Sequence, residues 1–274
     1  MDSSLAARSN LVRTTTTAYQ DLLGGLVRWD IWGRLGWFEI KRRYRRTILG
    51  PFWGAISIAI IVFAMGGVGS GLFRRSWAEY LPFLASGMVV WIMIAGMVTE
   101  GCNLFIGAEH LFRQMRFDYS MLAYALVWRN WIGFAHNFSV YAVIALIFAP
   151  HLLTPFVFLA VPGLILVGAA GAWIALLLGM LCLRFRDVQQ LVSSLMQLAI
   201  FVTPVFWSPD DLPGRPALVL FNPLHYLIDI VRKPLLGQWP GLGTYAAAIL
   251  IVIAGWVVTF VFFQRFRRRI AYWS

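Results

Sequence analysis

The chain has 274 residues, of which 60% are hydrophobic and 13% are charged, and its mean hydropathy is +0.73. Because soluble domains are about 45–50% apolar, this composition excludes a soluble globular protein and indicates a multi-pass membrane protein. The formal net charge of +11 would suggest a nucleic-acid partner in a soluble chain, but here the arginines flank apolar segments, which favours anionic lipid and argues against nucleic acid.

The chain begins with two segments that precede the first long apolar run. Residues 1–27 are polar and are interpreted as a cytoplasmic tail, either mobile or a short helix. Residues 28–50 place tryptophans and arginines on a helical period, although Glu39 interrupts the apolar arc, and they predict an amphipathic interface helix in the headgroup plane. The alternative is a juxtamembrane anchor that only sets topology. The basic side chains expected among phosphates are Arg34, Lys41, Arg42, Arg43, Arg45 and Arg46.

Six apolar segments predict transmembrane helices, since about 20 helical residues cross the hydrocarbon core. They lie at 51–73, 80–99, 131–148, 156–183, 188–207 and 244–263, and together they form a transmembrane domain at 51–264. Six spans place both termini on one side, and 18 of the 23 lysines and arginines then lie on that side. The excess of positive charge identifies this side as cytoplasmic, where the chain ends in a basic tail at 265–274.

The cytoplasmic segment between the second and third spans mixes both signs of charge with large apolar residues. Within it, residues 109–118 predict a short amphipathic helix with Leu111, Phe112 and Met115 on the apolar face. Such a helix suits a groove on a partner protein, and it can equally pack on the membrane surface. The pattern leaves both interpretations open.

The fifth predicted span is the most polar one. Gln190, Ser194 and Gln197 are spaced by about one helical turn, and Phe201 follows one turn later. Because polar side chains are costly in lipid, this face should turn toward other helices or toward a water-filled path. Interhelical hydrogen bonding and pore lining both remain open.

Residues 208–243 form the longest exterior segment, rich in proline and glycine yet also apolar. Its two apolar stretches are too short to cross a membrane, so they predict a re-entrant or interfacial helical hairpin broken at Asn222 and Pro223. His225 and Asp229 lie one helical turn apart in its second half. We interpret them as a pair on the helix surface.

Catalytic and nucleotide-binding motifs are absent from the sequence. It has no P-loop, GxSxG or HExxH pattern, and its two cysteines have no metal-ligand spacing. An energy source must therefore be a separate protein or an ion gradient. No carboxylate lies inside a predicted span, which disfavours an ion gradient. The set left for a membrane transferase acting on lipid-linked sugars is His225, Asp229 and Glu100.

Four motifs, taken in chain order, resemble the membrane subunit of type 2 ABC exporters. They are KRRYRRTILGPFW at 41–53, Arg186-Asp187 before the fifth span, TPVFW at 203–207 and FNPLHYLIDIVR at 221–232. Within that group the chain is most similar to the polysaccharide and polyol-phosphate export permeases, which move lipid-linked O-antigen, capsule, teichoic acid or galactan chains. The resemblance covers about residues 25–270.

This resemblance implies a homodimer in a bacterial plasma membrane, the inner membrane of a Gram-negative cell, with two copies of a separate cytoplasmic ATPase. The partner would bind ATP and magnesium, so this chain would need no cofactor or metal and would not be an enzyme. By position, 29–44 would be the interface helix and 213–231 the exterior gate, with Asn222, Pro223, His225 and Asp229. The coupling helix seated in the ATPase would contain Glu109, His110, Leu111, Phe112, Arg113, Met115 and Arg116.

A transport hypothesis follows from the resemblance. A lipid-linked glycan would be received near the arginine cluster, and ATP binding in the partner would push on the coupling helix. The glycan would then pass between two subunits. The expected channel-lining residues are Trp53, Trp91, Gln190, Ser194, Gln197, Phe201 and Phe206. The alternatives are a type 2 ABC exporter of a drug or free lipid, a membrane transferase, and a channel or scaffold without energy coupling.

Overall fold

The computed structural model describes residues 17–108, 118–152, 154–211 and 216–273, and all regular secondary structure in these ranges is helical. The helices are α1 (Ala18–Val27), α2 (Trp29–Tyr44), α3 (Phe52–Leu72), α4 (Trp77–Cys102), α5 (Ser120–Phe148), α6 (Ala160–Arg184), α7 (Asp187–Val202), α8 (Pro216–Leu220), α9 (Pro223–Leu235) and α10 (Leu242–Trp273). Short 3-10 turns lie at Pro150–Leu152, Pro155–Leu159 and Pro209–Asp211.

Five helices in the described part of the chain are long and apolar enough to span a membrane. They are α3, α4, α5, α6 with its preceding 3-10 turn, and α10. This confirms the predicted class, an all-α integral membrane protein. The fifth predicted span corresponds to α7, whose 16 residues measure about 24 Å against a hydrocarbon core of about 30 Å. The count of six spans therefore stays a prediction.

Helix α4 lies at the centre of the bundle. A capping box of Ser76 and Glu79 starts the helix, and 17 of its 26 residues are buried. It packs against α3, α5, α6 and α9. A Cβ atom at Gly101 would lie 2.8 Å from the Cα of Ala175, so the missing side chain lets α4 and α6 approach closely.

Two helices are longer than the spans predicted for them. The third predicted span starts at 131, but α5 starts at Ser120, and the last one ends at 263, but α10 continues to Trp273. The charged residues Arg129 and Arg265 set the predicted limits. A helix continues past such charges when its polar end finds partners in the protein, as both of these ends do.

The first described residues form a structured element. Thr17 and Gln20 make a capping box that starts α1, and Asp21 in its first turn is fully buried. Of the two interpretations given to residues 1–27, the short helix therefore applies from Ala18 to Val27.

Candidate functional site

Helix α7 presents the most unusual surface of the subunit, because none of its 16 residues is buried. It touches α4 and α6 along one side only. The predicted polar row Gln190, Ser194 and Gln197 is exposed, and Phe201 is 68% exposed. We call these four residues the α7 face. It is an exposed strip of polar and aromatic side chains on a helix that is mostly apolar.

The other predicted channel-lining aromatics occupy different environments. Trp53 on α3 is 50% exposed, and Phe206 is half-buried with its ring centroid 6.1 Å from that of Phe201. Trp91 is only 5% exposed and belongs to the hydrophobic core. Its assignment to a channel surface is therefore wrong, because its position on α4 faces neighbouring helices on every side.

One end of α7 is held by hydrogen bonds to other elements. At the end nearer the exterior segment, the Asn222 amide donates to the Thr203 hydroxyl at 2.9 Å. The Tyr80 hydroxyl donates to the Phe206 carbonyl at 2.8 Å, and the Arg232 guanidinium donates to the Pro204 carbonyl. The middle of α7 is therefore uncovered while its exterior end is fixed to α4 and α9.

Helix α2 packs against α5 with the side that holds Trp32 and Gly36. The Trp32 ring centroid lies 6.3 Å from those of Tyr124 and Trp128, and a Cβ atom at Gly36 would lie 2.9 Å from the Ala125 carbonyl oxygen. This side of α2 is used for protein contact, whereas three other aromatic side chains of the helix are exposed. They are Trp29, Trp37 and Phe38.

A charge network joins α2, α4 and α5. The Arg129 guanidinium donates two hydrogen bonds to the Glu100 carboxylate, the shorter at 2.7 Å, and it also pairs with Glu39. Arg43 pairs with the other Glu100 oxygen at 2.7 Å, and the Asn130 amide donates to Glu100 at 3.2 Å. Glu39, which seemed to disrupt an amphipathic pattern, is therefore a partner in this network.

Of the six basic residues predicted at the interface, Arg43 serves a second role. Burial lowers its pKa, but the Glu100 carboxylate and Tyr44 outweigh that effect, so the pKa of Arg43 is raised. Its charge is thus fixed and helps to hold α2 on the bundle. The other five are exposed, and no described carboxylate lies within ion-pair distance of them. They are Arg34, Lys41, Arg42, Arg45 and Arg46.

A buried aspartate ties the two ends of the chain to α5. Asp21 accepts hydrogen bonds from the backbone N–H groups of Tyr119 (3.2 Å) and Ser120 (3.0 Å), and from Nε of Arg267 at 2.7 Å. It thus caps α5 from a position 99 residues earlier. Sequence reasoning missed this residue, because nothing in its local pattern distinguishes it from an ordinary first-turn aspartate.

The predicted coupling residues at 109–117 lie outside the described residues, and these include Glu109, His110, Leu111, Phe112, Arg113, Met115 and Arg116. The two flanks of that segment are described and lie side by side. The ring centroids of Phe105 and Tyr119 are 6.2 Å apart, and Arg28 pairs with Asp118 at 3.7 Å. The segment therefore leaves and rejoins the bundle at one point. This point lies beside the contacts of Asp21 with Tyr119, Ser120 and Arg267, which we call the Asp21 junction.

Two of the residues predicted for the exterior gate, His225 and Asp229, belong to a buried ion cluster. Nine of the 13 residues of α9 are buried, and His225 Nε2 lies 3.6 Å from a carboxylate oxygen of Asp229. The same carboxylate pairs with Arg232 and Lys233. The interpretation of His225 and Asp229 as a surface pair is therefore wrong, because α9 packs against α4, α6 and α10.

Asn222 and Pro223 begin α9 in the expected way. The Asn222 side chain accepts from the Leu224 N–H at 3.0 Å, and Pro223 occupies the first helical position, where its missing N–H costs nothing. Asn222 is half-buried and Pro223 is exposed. The break that the sequence predicted between two short helices is therefore the N-cap of α9.

The structure separates the three residues of the transferase alternative. Arg232, the neighbour of Asp229, lies beside Gly87 of α4, whereas Glu100 is 13 residues further along that helix. At 1.5 Å per residue this is about 20 Å. Glu100 is also engaged with Arg129, so these residues do not form a convergent catalytic set. In the described ranges no three His, Cys, Asp or Glu side chains are grouped as metal ligands.

Comparison with known proteins gives a consistent result. The profile of the ABC-2 type transporter family matches residues 32–236, from α2 to just past α9. An O-antigen export system permease protein RfbA of Klebsiella pneumoniae is 22% identical over 226 residues, which covers 81% of this chain and 85% of that protein. One from Myxococcus xanthus is 24% identical over 189 residues, covering 68% and 72% respectively.

The matched region contains the network around Glu100, the α7 face and the ion cluster of Asp229, while all of α10 lies beyond it. This confirms the resemblance drawn from the four sequence motifs. The chain therefore belongs to the ABC-2 type transporter family and is the transmembrane subunit of an ABC exporter, a transport subunit and not an enzyme.

Proposed function

We propose that this subunit moves a lipid-linked polysaccharide from the cytoplasmic leaflet across a bacterial plasma membrane, through a channel between two copies of the chain. A separate cytoplasmic ATPase, also in two copies, supplies the energy and binds ATP and magnesium. The family supports export, and relatives named as O-antigen export permeases support a glycan substrate. Both termini are cytoplasmic in this proposal, as the distribution of positive charge predicts.

The α7 face is the single observation that carries the channel. Gln190, Ser194 and Gln197 lie on a mostly apolar helix, yet nothing in the described part of the subunit covers them. Exposing polar side chains to hydrocarbon costs free energy. These residues are therefore expected to contact water, sugar hydroxyls or a second protein surface. Two copies that meet along α7 supply all three, with Phe201 available to stack on sugar rings.

The free cations of α2 suit the cytoplasmic entry of this channel. Arg34, Lys41, Arg42, Arg45 and Arg46 are exposed along one helix and its end. Guanidinium groups bind phosphate oxygens in pairs, so this surface matches the phosphate or pyrophosphate of a lipid-linked glycan. Arg43 contributes less to phosphate binding, because it already forms an ion pair with Glu100.

The exterior end supports a gate that is mechanically joined to the channel. The Asn222 amide holds Thr203 at the end of α7, and Arg232 holds Pro204. A shift of α9 would therefore move the end of α7 with it. The ion cluster of Asp229 keeps α9 rigid, so the gate moves as a unit and takes no part in bond chemistry.

Energy coupling is assigned to residues 109–118. Their flanks are joined by Phe105 and Tyr119 and lie against the Asp21 junction, which also holds α1 and α10. A push on this segment would reach α5 and α10 together. Each of these helices is a single rigid element, as two-state coupling requires.

The first test asks whether an ATPase accompanies the chain. The tagged protein, purified from its native membrane in mild detergent, is expected to retain an ATPase, and Leu111→Glu with Phe112→Glu should release it and abolish ATP hydrolysis. The matched control is Ile48→Glu with Leu49→Glu, since both side chains are exposed. A stable chain with no ATPase in several detergents would refute the proposal.

The second test addresses the channel between two copies. In a background with Cys102 and Cys182 replaced by alanine, Ser194→Cys should cross-link to a second copy in native membranes. Leu250→Cys on α10 is also exposed and should not, because α10 packs mainly against α6 and α9. Equal cross-linking at both sites, or none at Ser194→Cys, would contradict the proposed interface.

A further inference from the structure

A cavity of about 170 Å³ opens between the C-terminal ends of α6 and α10. Six of its eight lining residues are apolar, among them Leu181, Phe266 and Trp273, and the other two are Arg184 and Arg269. We call this cavity the basic groove. Its size is comparable to the cavities of ~150 Å³ that admit a benzene ring, so it can hold a short stretch of hydrocarbon.

The two arginines of the basic groove carry charge that no carboxylate among the described residues neutralises. The Arg184 guanidinium lies 5.6 Å from the ring centroids of Phe185 and Trp273, and that of Arg269 lies 5.7 Å from the Phe266 ring. Both side chains are exposed, and no carboxylate in the described ranges pairs with either of them. The aromatic faces fix the two cations in position and leave their outer N–H groups free to donate.

The groove lies where the apolar spans end. Arg184 is the last residue of α6, and Arg269 lies in the basic stretch that follows the apolar part of α10, which ends at Phe263. Arginines at such a position are at the level of lipid headgroups, while the apolar lining points back along the helices toward the acyl chains. Arg267, two residues from Arg269, joins the Asp21 junction, so the groove lies at that same end of the bundle.

We propose that the basic groove binds an anionic glycerophospholipid. Its phosphodiester accepts hydrogen bonds from Arg184 and Arg269, and the first part of one acyl chain fills the apolar cavity. A free anion would use the two arginines but not the apolar lining. A zwitterionic lipid brings its own cation to a site that already has two. An anionic phospholipid is the ligand that matches both halves of the groove.

This site is distinct from the surface proposed for substrate entry. The free cations of α2 lie on another helix, and the whole of α10 lies outside the part of the chain that the family profile matches. The inference therefore does not depend on the transported molecule. A bound lipid would join the ends of α6 and α10, beside the Asp21 junction.

The test measures which lipids stay with the full-length chain. The protein is reconstituted in vesicles of equal phosphatidylglycerol and phosphatidylcholine, extracted in mild detergent, and its retained lipids are quantified by mass spectrometry. We expect the ratio of retained phosphatidylglycerol to retained phosphatidylcholine to be about tenfold higher than in the vesicles, since each arginine near an anionic lipid contributes a several-fold preference. Arg184→Gln with Arg269→Gln should abolish the enrichment.

The matched control is Arg186→Gln with Arg265→Gln, which removes the same charge at the same end of the bundle from residues that do not line the groove. This control should keep the enrichment. No enrichment in the wild-type protein, or an equal loss in both double variants, would overturn the proposal, because either result would mean that the groove has no specific role.

A second variant distinguishes a lipid from a simple anion. Leu181→Trp fills the cavity and leaves both arginines in place, and Leu181→Phe does so with a smaller side chain if the first variant folds poorly. Either change should reduce retained phosphatidylglycerol to the vesicle proportion. Retention that survives the filled cavity, or that excess inorganic phosphate displaces, would show a surface anion site and would refute a lipid groove.

Discussion

Helices α4 and α7 are both apolar, yet they have opposite places in the subunit. Seventeen of the 26 residues of α4 are buried, whereas none of the 16 residues of α7 is. The core of the subunit forms around α4, which touches five other helices, and α7, although it is one of the five, lies outside that core. The burial of a membrane helix is set by its neighbours and not by its composition. An uncovered helix with polar residues therefore indicates a surface completed outside the subunit.

The two helices are also held in different ways. Along its length α4 is fixed by close packing at Gly101, by the ion pairs of Glu100 and by Arg232 lying 4.6 Å from the Phe83 ring centroid. Helix α7 is fixed mainly at its end, through Thr203. Substitutions around α4 should therefore change the stability of the subunit, and substitutions on the α7 face should change assembly and transport.

The largest expected effect comes from Arg129→Met. This change leaves Glu39 and Glu100 without their shared partner in a site where the Arg129 side chain is only 15% exposed. Breaking such a pair from one side leaves uncompensated charge, so we expect a loss of about 2–3 kcal/mol of unfolding free energy. Denaturation of both proteins in mixed detergent micelles measures this difference in unfolding free energy.

The control for this change is Arg43→Gln, which removes a charge from the same network at a side chain that is 51% exposed. Exposed pairs contribute about 0–1 kcal/mol, so the control should stay close to the wild-type stability. Equal losses for the two variants would mean that Arg129 does not hold α4 and α5 together more tightly than the surface pair does.

The next effect concerns the close approach of α4 and α6. Gly101→Val places a side chain against the backbone of Ala175, which cannot move aside, and overpacking of this kind costs about 1–3 kcal/mol. The matched control is Gly133→Val on α5, where an added Cβ atom meets nothing within 4 Å. Thermal unfolding should separate the two variants, and a similar shift for both would contradict the tight contact.

The sequence could predict most of the helices because their signals are local. Apolar length marks the spans, and the Asn222-Pro223 pair marks the start of α9. The sequence could not predict which helix is central. The difference between α4 and α7 lies in the helices that surround them, and local patterns do not show those. The roles of Glu39 and Asp21 were missed for the same reason, because their partners Arg129 and Arg267 lie about 90 and 246 residues away. The burial of Trp91 likewise depends on helices that local patterns do not place.

A smaller effect on stability, with a large effect on function, is expected on the α7 face. Gln197→Leu removes an exposed amide from a helix that buries nothing, so the unfolding free energy should change by less than about 0.5 kcal/mol. Transport should nevertheless fall several-fold, measured as lipid-linked glycan retained in the cytoplasmic leaflet. Gln264→Leu on α10 is an equally exposed control that should not affect transport.

If both glutamine variants transported normally, the uncovered row on α7 would have no functional role and the channel would have to lie elsewhere. If Gln197→Leu instead unfolded the subunit, the contrast between α4 and α7 would fail, because α7 would then contribute to the core. Only unchanged stability together with reduced transport supports a surface that is completed by a second copy.

The smallest effect concerns Asp118, beside the Asp21 junction and far from the charge-free middle of α7. Burial and the nearby Asp21 raise the pKa of Asp118, although Arg28 and Arg267 oppose them. The folded state therefore binds this proton more tightly than the unfolded state, and the subunit should lose stability as pH rises through the window above 3.8.

Asp118→Asn mimics the protonated form, so it should slightly stabilise the protein near neutral pH, with the difference shrinking in acid. The control is Asp187→Asn at the exposed start of α7, which should change the stability neither near neutral pH nor in acid. A loss of stability in Asp118→Asn at neutral pH would instead mean that the ion pair with Arg28 outweighs the cost of burying the charge.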